Sequence, residues 1–289
     1  MNRLWIVVLA FGLVACQPHG KEVHDRIAVS ILPHKYFVER IAGNDFRVDV
    51  LVAPGTSHEN YDPTPRQMKD LAMSRAWLAN GFLSFEDQWK GKFLETNPEL
   101  KVFDLSEGIE TLSGSCHDHE DGTHTHGSID PHFWLSPGAA VIIANNVFEA
   151  LSQLKPDQEE RYRKNLDSLQ ADLAALHHHT LQGFEGMQGK AFLIFHPALT
   201  YFAEQYGLEQ IAIEKEGKNP SAQGMKEIID RARHDNIRVI LVQSQFDQEN
   251  ARTIAREIGG RAVAFDPMAA DWLTHMYLIA DTLSKSMKP

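Results

Sequence analysis

The sequence predicts an α/β protein of two lobes, each built on a mostly parallel sheet, joined by one long rigid helix. Three observations carry that reading. Short apolar runs alternate with helical patterns in both halves, as βαβ units with parallel strands require. Between the halves a polar stretch carries one apolar stripe, Tyr162, Leu166, Leu169, Leu173 and Leu176, at alternating helical steps. Pro and Gly punctuate the runs at their ends, as at Pro54-Gly55, Pro137, Pro156 and Gly259-Gly260.

Each element follows from its residues. Arg26–Leu32 alternates as a strand and stops at Pro33, and Tyr36, Phe37 and Ile41 mark a short helix ending at Gly43. Phe46–Ala53 reads as a second strand. Pro65 suits the first turn of a helix through Ser74, followed by strands near Ala76–Asn80 and Lys101–Leu105. Pro137 opens a helix whose Ala140, Ile143, Val147, Leu151 and Leu154 recur at helical spacing. This N-terminal lobe covers 26–155. The linking helix, 156–186, would be roughly 40 Å long at about 1.5 Å per residue. In the C-terminal lobe, 187–289, strands fall at Ala191–Phe195, Gln210–Ile213, Ile237–Gln243 and Ala262–Phe265. Helices fall at 197–206, Ala222–Asp235, Gln248–Ile258 and Trp272–Lys285. No sequence identity between the halves is visible, so no repeat is inferred.

The chain is 289 residues with a formal charge of −11. No basic excess exists to neutralise phosphates, which argues against a nucleic-acid partner. Residues 1–15 resemble a lipoprotein signal peptide: Arg3, an apolar run from Leu4 to Val14 too short to span a bilayer, then Leu-Val-Ala-Cys16. Cys16 is the expected lipidation site and 16–25 a polar tether, giving an exported, membrane-anchored protein. The only other cysteine, Cys116, then has no partner for an intramolecular disulfide.

Ligand-type residues follow predicted strand ends, where open α/β sheets bind ligands. His58 and Glu59 lie beyond the strand at 46–53, His196 directly after 191–195, and Asp266 directly after 262–265. His132 precedes the helix at Pro137. Each has an ordinary reading alone, but joint placement on strand ends of both halves favours a metal site in the cleft between lobes. The segment 116–126 holds Cys116, His117, His119, His124 and His126 among acidic residues, a composition suited to zinc, copper or nickel and useless in a core. His177-His178-His179 on the long helix point about 100° apart and cannot share one ion.

The motifs Pro-Gly-Thr-Ser-His58-Glu59-Asn-Tyr-Asp-Pro, Asp-Pro-His132-Phe-Trp-Leu-Ser-Pro, Phe-His196-Pro-Ala and Phe265-Asp266-Pro together resemble those of the zinc- and manganese-binding solute receptors of bacterial ATP-binding-cassette importers. The resemblance covers nearly the whole mature chain. It implies two α/β lobes joined by a rigid helix, a metal ion bound by His132, His196 and Asp266 with one further ligand, and delivery to a permease and its ATPase by a monomer. The family places a His two residues before the Tyr of the first motif; here Glu59 stands there and His58 one residue earlier, so both remain candidates. The His-rich loop favours Zn(II), and a set containing carboxylates also suits Mn(II). A first shell of about four protein ligands leaves no open position for catalysis. The rival readings are a zinc metallohydrolase, for which no His-Glu-x-x-His or nucleophile elbow is present, and a metal-storage or adhesin protein in which the His loop is the working part.

Overall fold

The computed structural model describes residues 25–59, 61–114, 129–214, 218, 220–245 and 248–288. The signal segment, Cys16 and the His-rich segment 116–126 lie outside the described residues.

The first lobe runs β1 (Asp25–Val29), α1 (Leu32–Ala42), β2 (Phe46–Val50), α2 (Pro65–Ala72), β3 (Ala76–Ala79), α3 (Ser84–Thr96), β4 (Lys101–Asp104) and α4 (Pro137–Leu154). The linking helix is α5 (Glu159–Gly183). The second lobe follows as β5 (Ala191–Ile194), α6 (Thr200–Tyr206), β6 (Glu209–Ala212), α7 (Ala222–His234), β7 (Val239–Gln243), α8 (Gln248–Glu257), β8 (Arg261–Phe265) and α9 (Trp272–Met287). Both sheets are parallel throughout, with the orders β2-β1-β3-β4 and β6-β5-β7-β8. The two orders are the same pattern. In each, the chain reverses direction across the sheet beside its first strand, which opens a crevice at the carboxyl ends of β1 and β5. No helix among the described residues is long and apolar enough to cross a membrane.

The stripe on α5 is buried as its spacing requires: Tyr162, Leu166, Leu169, Leu173 and Leu176 are all in the core. Its 25 residues span about 37 Å. Two local expectations differ. Pro33 lies in the first turn of α1 and does not end a strand beyond it; a ring without an N–H is tolerated there because that N–H has no intrahelical acceptor. The helix α3 escapes sequence reading because Gly91 sits inside it and its N-cap, Leu83, makes no side-chain cap.

One hydrophobic cluster runs through the first lobe, α5, α9 and the inner face of the second sheet, including Phe37, Trp134, Leu169, Phe192, Leu241 and Trp272. A smaller cluster packs the outer face of that sheet through Leu193, Ile240 and Val242. The alternation of Phe192 and Leu193 between clusters is the period-two geometry of a strand buried on both faces. The lobes therefore share a core across their seam.

Candidate metal centre

The first ligand-bearing loop leaves β2 through Ala53-Pro54-Gly55-Thr56, a turn closed by Thr56 N–H to the Ala53 carbonyl at 3.1 Å. Gly55 has φ +76°, a conformation glycine adopts without Cβ penalty. The chain then drops inward, burying His58 while Glu59 stays exposed. Tyr61 packs edge-on against Phe85 with ring centroids 4.8 Å apart, and Trp89 Nε1 donates to Asp62 Oδ1 at 3.0 Å. Helix α3 thus anchors the returning limb of the loop.

His132 opens the short 3-10 turn Phe133–Leu135 ahead of α4. Asp130 Oδ1 accepts both the His132 backbone N–H at 2.8 Å and the ring Nδ1–H at 2.7 Å. Burial alone would raise the Asp130 carboxyl, but the adjoining His132 more than offsets it and holds the group below the ordinary range. From the second lobe, the Tyr201 hydroxyl donates to the Asp130 carbonyl at 2.9 Å.

His196 lies just past β5 at the crevice of the second sheet. The side-chain amide of Gln243 grips its backbone on both sides, accepting from His196 N–H at 3.2 Å and donating to its carbonyl at 2.6 Å. The ring Nδ1–H donates to Glu214 Oε1 at 2.6 Å, just beyond β6. His132 and His196 are thus held by the same device: a buried carboxylate takes the Nδ1 proton and turns the Nε2 lone pair toward the cleft, which also raises ligand basicity.

His58 Nε2 lies 3.0 Å from His132 Nε2, and His196 Nε2 lies 3.4 Å from Glu59 Oε1. The His132 ring is 5.2 Å from that of His196. Two nitrogens at about 2.0–2.1 Å from a tetrahedral zinc ion sit roughly 3.3 Å apart, so each pair is spaced as two ligands of one ion are. The cavity lined by His58, His132, Trp134, His196, Gln245 and Met268 has a volume of ≈ 20 Å³. That is about the space of one water-sized group, far below the several hundred Å³ of an organic-solute pocket. Burial, with the neighbouring imidazoles adding to it, pushes His58 down to about 3, so it is neutral and able to ligate at any physiological pH.

The predicted residues therefore divide. His58, Glu59, His132 and His196 come together, and both first-position candidates reach the cluster from different sides. Asp266 lies beside the cavity residues Pro267, Met268 and Gln245: its Oδ1 accepts from Met268 N–H at 3.0 Å and Gln245 Nε2 at 2.7 Å, and like Glu59 it is not part of the cavity lining. His177 contacts the Tyr206 hydroxyl and His179 contacts Asp281, facing apart as helical geometry demands. Sequence reasoning missed Glu214, which with Glu59 and His196 forms a group whose ligand atoms lie within 4.8 Å of one another. Its one signal was its place just beyond a strand beside the strand that leads to His196.

Trp134 closes the wall. Its ring meets His58 edge-on at 5.7 Å and His132 at 5.1 Å. Its Nε1–H donates across the seam to the Pro267 carbonyl at 2.8 Å, while Trp272 Nε1–H donates back to the Trp134 carbonyl at 2.8 Å.

The family described as zinc-uptake complex component A, periplasmic (ZnuA), matches residues 27–286. A crystal structure of ZnuA superposes with a TM-score of 0.82 at 34% identity, covering 91% of this chain and 99% of that one. A zinc-bound ZnuA lacking its residues 138–173 gives 0.83 at 34% identity, covering 91% and 98%. The manganese-bound FpvC of Pseudomonas aeruginosa, 22% identical, shares the fold with a TM-score of 0.76, covering 91% and 98%. The zinc-binding lipoprotein AdcA of Streptococcus pneumoniae is 28% identical over 284 residues, 93% of this chain and 55% of AdcA. The chain thus spans about half the length of the first curated relatives it matches.

Proposed function

Because the chain belongs to the ZnuA family of periplasmic metal-binding proteins of uptake systems, a family of binding proteins and not of enzymes, we propose that it captures Zn(II) outside the cytoplasmic membrane and delivers it to an ATP-binding-cassette permease. A lipid on Cys16 would tether it. The observation that carries this reading is the convergence of His58, His132 and His196 on an ion-sized cavity, with Glu59 at His196 and two of the imidazoles backed by buried carboxylates. We assign these four as the ligand set, with Asp266 bracing Gln245 beside it. Three imidazoles and one carboxylate suit zinc's tetrahedral preference. Glu59 supplies the hard oxygen that makes Mn(II) the second candidate cargo.

The test is titration calorimetry of Zn(II) and Mn(II) into metal-stripped mature protein, with and without residues 116–126. One tight zinc event that survives the deletion is expected, the loop contributing weaker sites only. Loss of all tight binding with the loop would overturn the assignment of the cleft as the capture site.

A further inference from the structure

The two sheets share one strand pattern, yet their crevices are used differently. In the second lobe the crevice beside β5 presents His196. In the first lobe the equivalent place, at the carboxyl ends of β1 and β3, is filled by the chain's own Glu86. This side chain is 4 % exposed. Its Oε1 accepts from the Ser30 hydroxyl, directly after β1, and from Asn80 N–H at 2.7 Å, directly after β3. Its Oε2 accepts from Gly81 N–H at 2.7 Å. Ser30 Oγ in turn accepts from Trp77 Nε1–H at 2.9 Å. Gly81 has φ +101°, and a Cβ there would strike the side chains of Asp104 and Ser106, so the N–H is aimed at the carboxylate by a turn only glycine can make.

The turn that Glu86 closes carries the two residues beneath the N-lobe ligands. Phe85 takes the ring of Tyr61, two positions beyond Glu59, and Phe82 takes the ring of Phe133 edge-on at 5.7 Å, next to His132. Trp89, one turn along α3, holds Asp62. Both N-lobe ligand segments therefore rest on one platform, and Glu86 is the group that joins that platform to the sheet. Resting on the capture function proposed above, we infer that Glu86 is a positioning residue for metal binding, holding the 80–85 turn so that His58 and His132 meet at the ion. Burial pushes its carboxyl up to about 7 in spite of the donors around it. Its two oxygens take the Ser30 hydroxyl and the Asn80 and Gly81 N–H groups at once, so it fixes the turn to the ends of β1 and β3 as an apolar side chain of the same volume would not.

The experiment measures zinc affinity by chelator competition, the cobalt(II) ligand-field spectrum of the loaded protein, and urea stability of the metal-free protein. Wild type is compared with Glu86→Gln, Phe82→Leu, the double variant, and Leu169→Ala as a core lesion on α5. In the Gln variant an NH2 group must face one of the backbone N–H donors. We expect Glu86→Gln and Phe82→Leu each to weaken zinc binding at least tenfold and to change the cobalt spectrum. The double variant should lose little more than the worse single one, and Leu169→Ala should keep zinc affinity within twofold while losing stability. Glu86→Gln that is less stable but binds zinc within twofold of wild type would overturn the inference. If Glu86→Gln does not fold, Phe82→Leu decides alone by the same criterion. Wild-type protein without tight zinc binding would instead overturn the capture function itself, and the inference with it.

Discussion

Removal of the carboxylate behind His196 is the most direct probe of the site. Glu214 is 4 % exposed and accepts the Nδ1 proton at 2.6 Å. Gln243 already clamps the His196 backbone, so the ring's remaining freedom is torsional, and Glu214 is what restrains it. Losing such a partner costs metal affinity about 10–100-fold, or about 1.4–2.7 kcal/mol. Glu214→Gln keeps an acceptor for Nδ1–H and so keeps the tautomer, losing only the charge that raises basicity; it belongs at the tenfold end. Glu214→Ala frees the ring and belongs at the hundredfold end. The assay is competition with a chromophoric chelator at constant pH, because His ligands and protons compete. Glu209→Ala, on the exposed end of β6, serves as the control and should bind as wild type. A Glu214→Ala protein with zinc affinity within twofold of wild type would refute the argument that His196 is an ion ligand aligned through its Nδ1.

Three further outcomes follow from the same geometry. His58→Ala should weaken zinc more than Glu59→Gln does, because the buried imidazole faces His132 while the exposed carboxylate reaches His196 from the rim; chelator competition on both variants gives the order, and the reverse order would make Glu59 the principal first ligand. Leu169→Ala should cost about 2–5 kcal/mol in urea unfolding, since the side chain is fully buried where α5 meets the core. Metal-free protein should lose stability on acidification. His34 and His58 are each pushed down to about 3 by burial, so below 6.5 the unfolded chain binds protons that the fold refuses. Glu86, pushed up to about 7, binds one in the fold that the unfolded chain has released above 4.5, which opposes one of the two histidines. From these three groups the unfolded chain binds about one proton more than the fold between 6.5 and 4.5, so stability is lost as pH falls. His34→Phe should flatten that slope, and urea midpoints across the range would show whether it does.

The architecture was legible because it rests on periodicity. The α5 stripe and the strand runs are signals of burial, and burial is what the fold does with them. The nearness of His132 and His196 was legible because ligand-type residues at strand ends meet in parallel sheets. The supporting carboxylates were not. Glu214 opens the charged run Glu-Lys-Glu, which reads as surface, and nothing local shows that β6 lies beside β5 and so brings it to His196. Glu86 stands in the first turn of α3, a helix the sequence does not announce, and its burial depends on a sheet order that no local pattern contains. The choice between His58 and Glu59 was open because adjacent residues leave a loop in opposite directions: His58 faces His132 and Glu59 faces His196. Asp266 sits at a strand end like the histidines, but its neighbours Gln245 and Met268 take its oxygen.

The reciprocal indole hydrogen bonds between Trp134 and the 267–272 segment, over a core common to both lobes, bear on what a partner can perceive. Receptors that clamp like jaws advertise their cargo by changing outline, and a transporter can ignore the gaping form. A body stitched along its seam has little outline to change. Loaded and unloaded copies would then contend for the same docking place on nearly equal terms, and delivery would slow as the unloaded fraction rose. Under the capture function proposed above, discrimination would then fall to local features of the rim such as the exposed turn through Pro54, Gly55 and Thr56, so that an importer would read the posture of a few residues and not the shape of the whole.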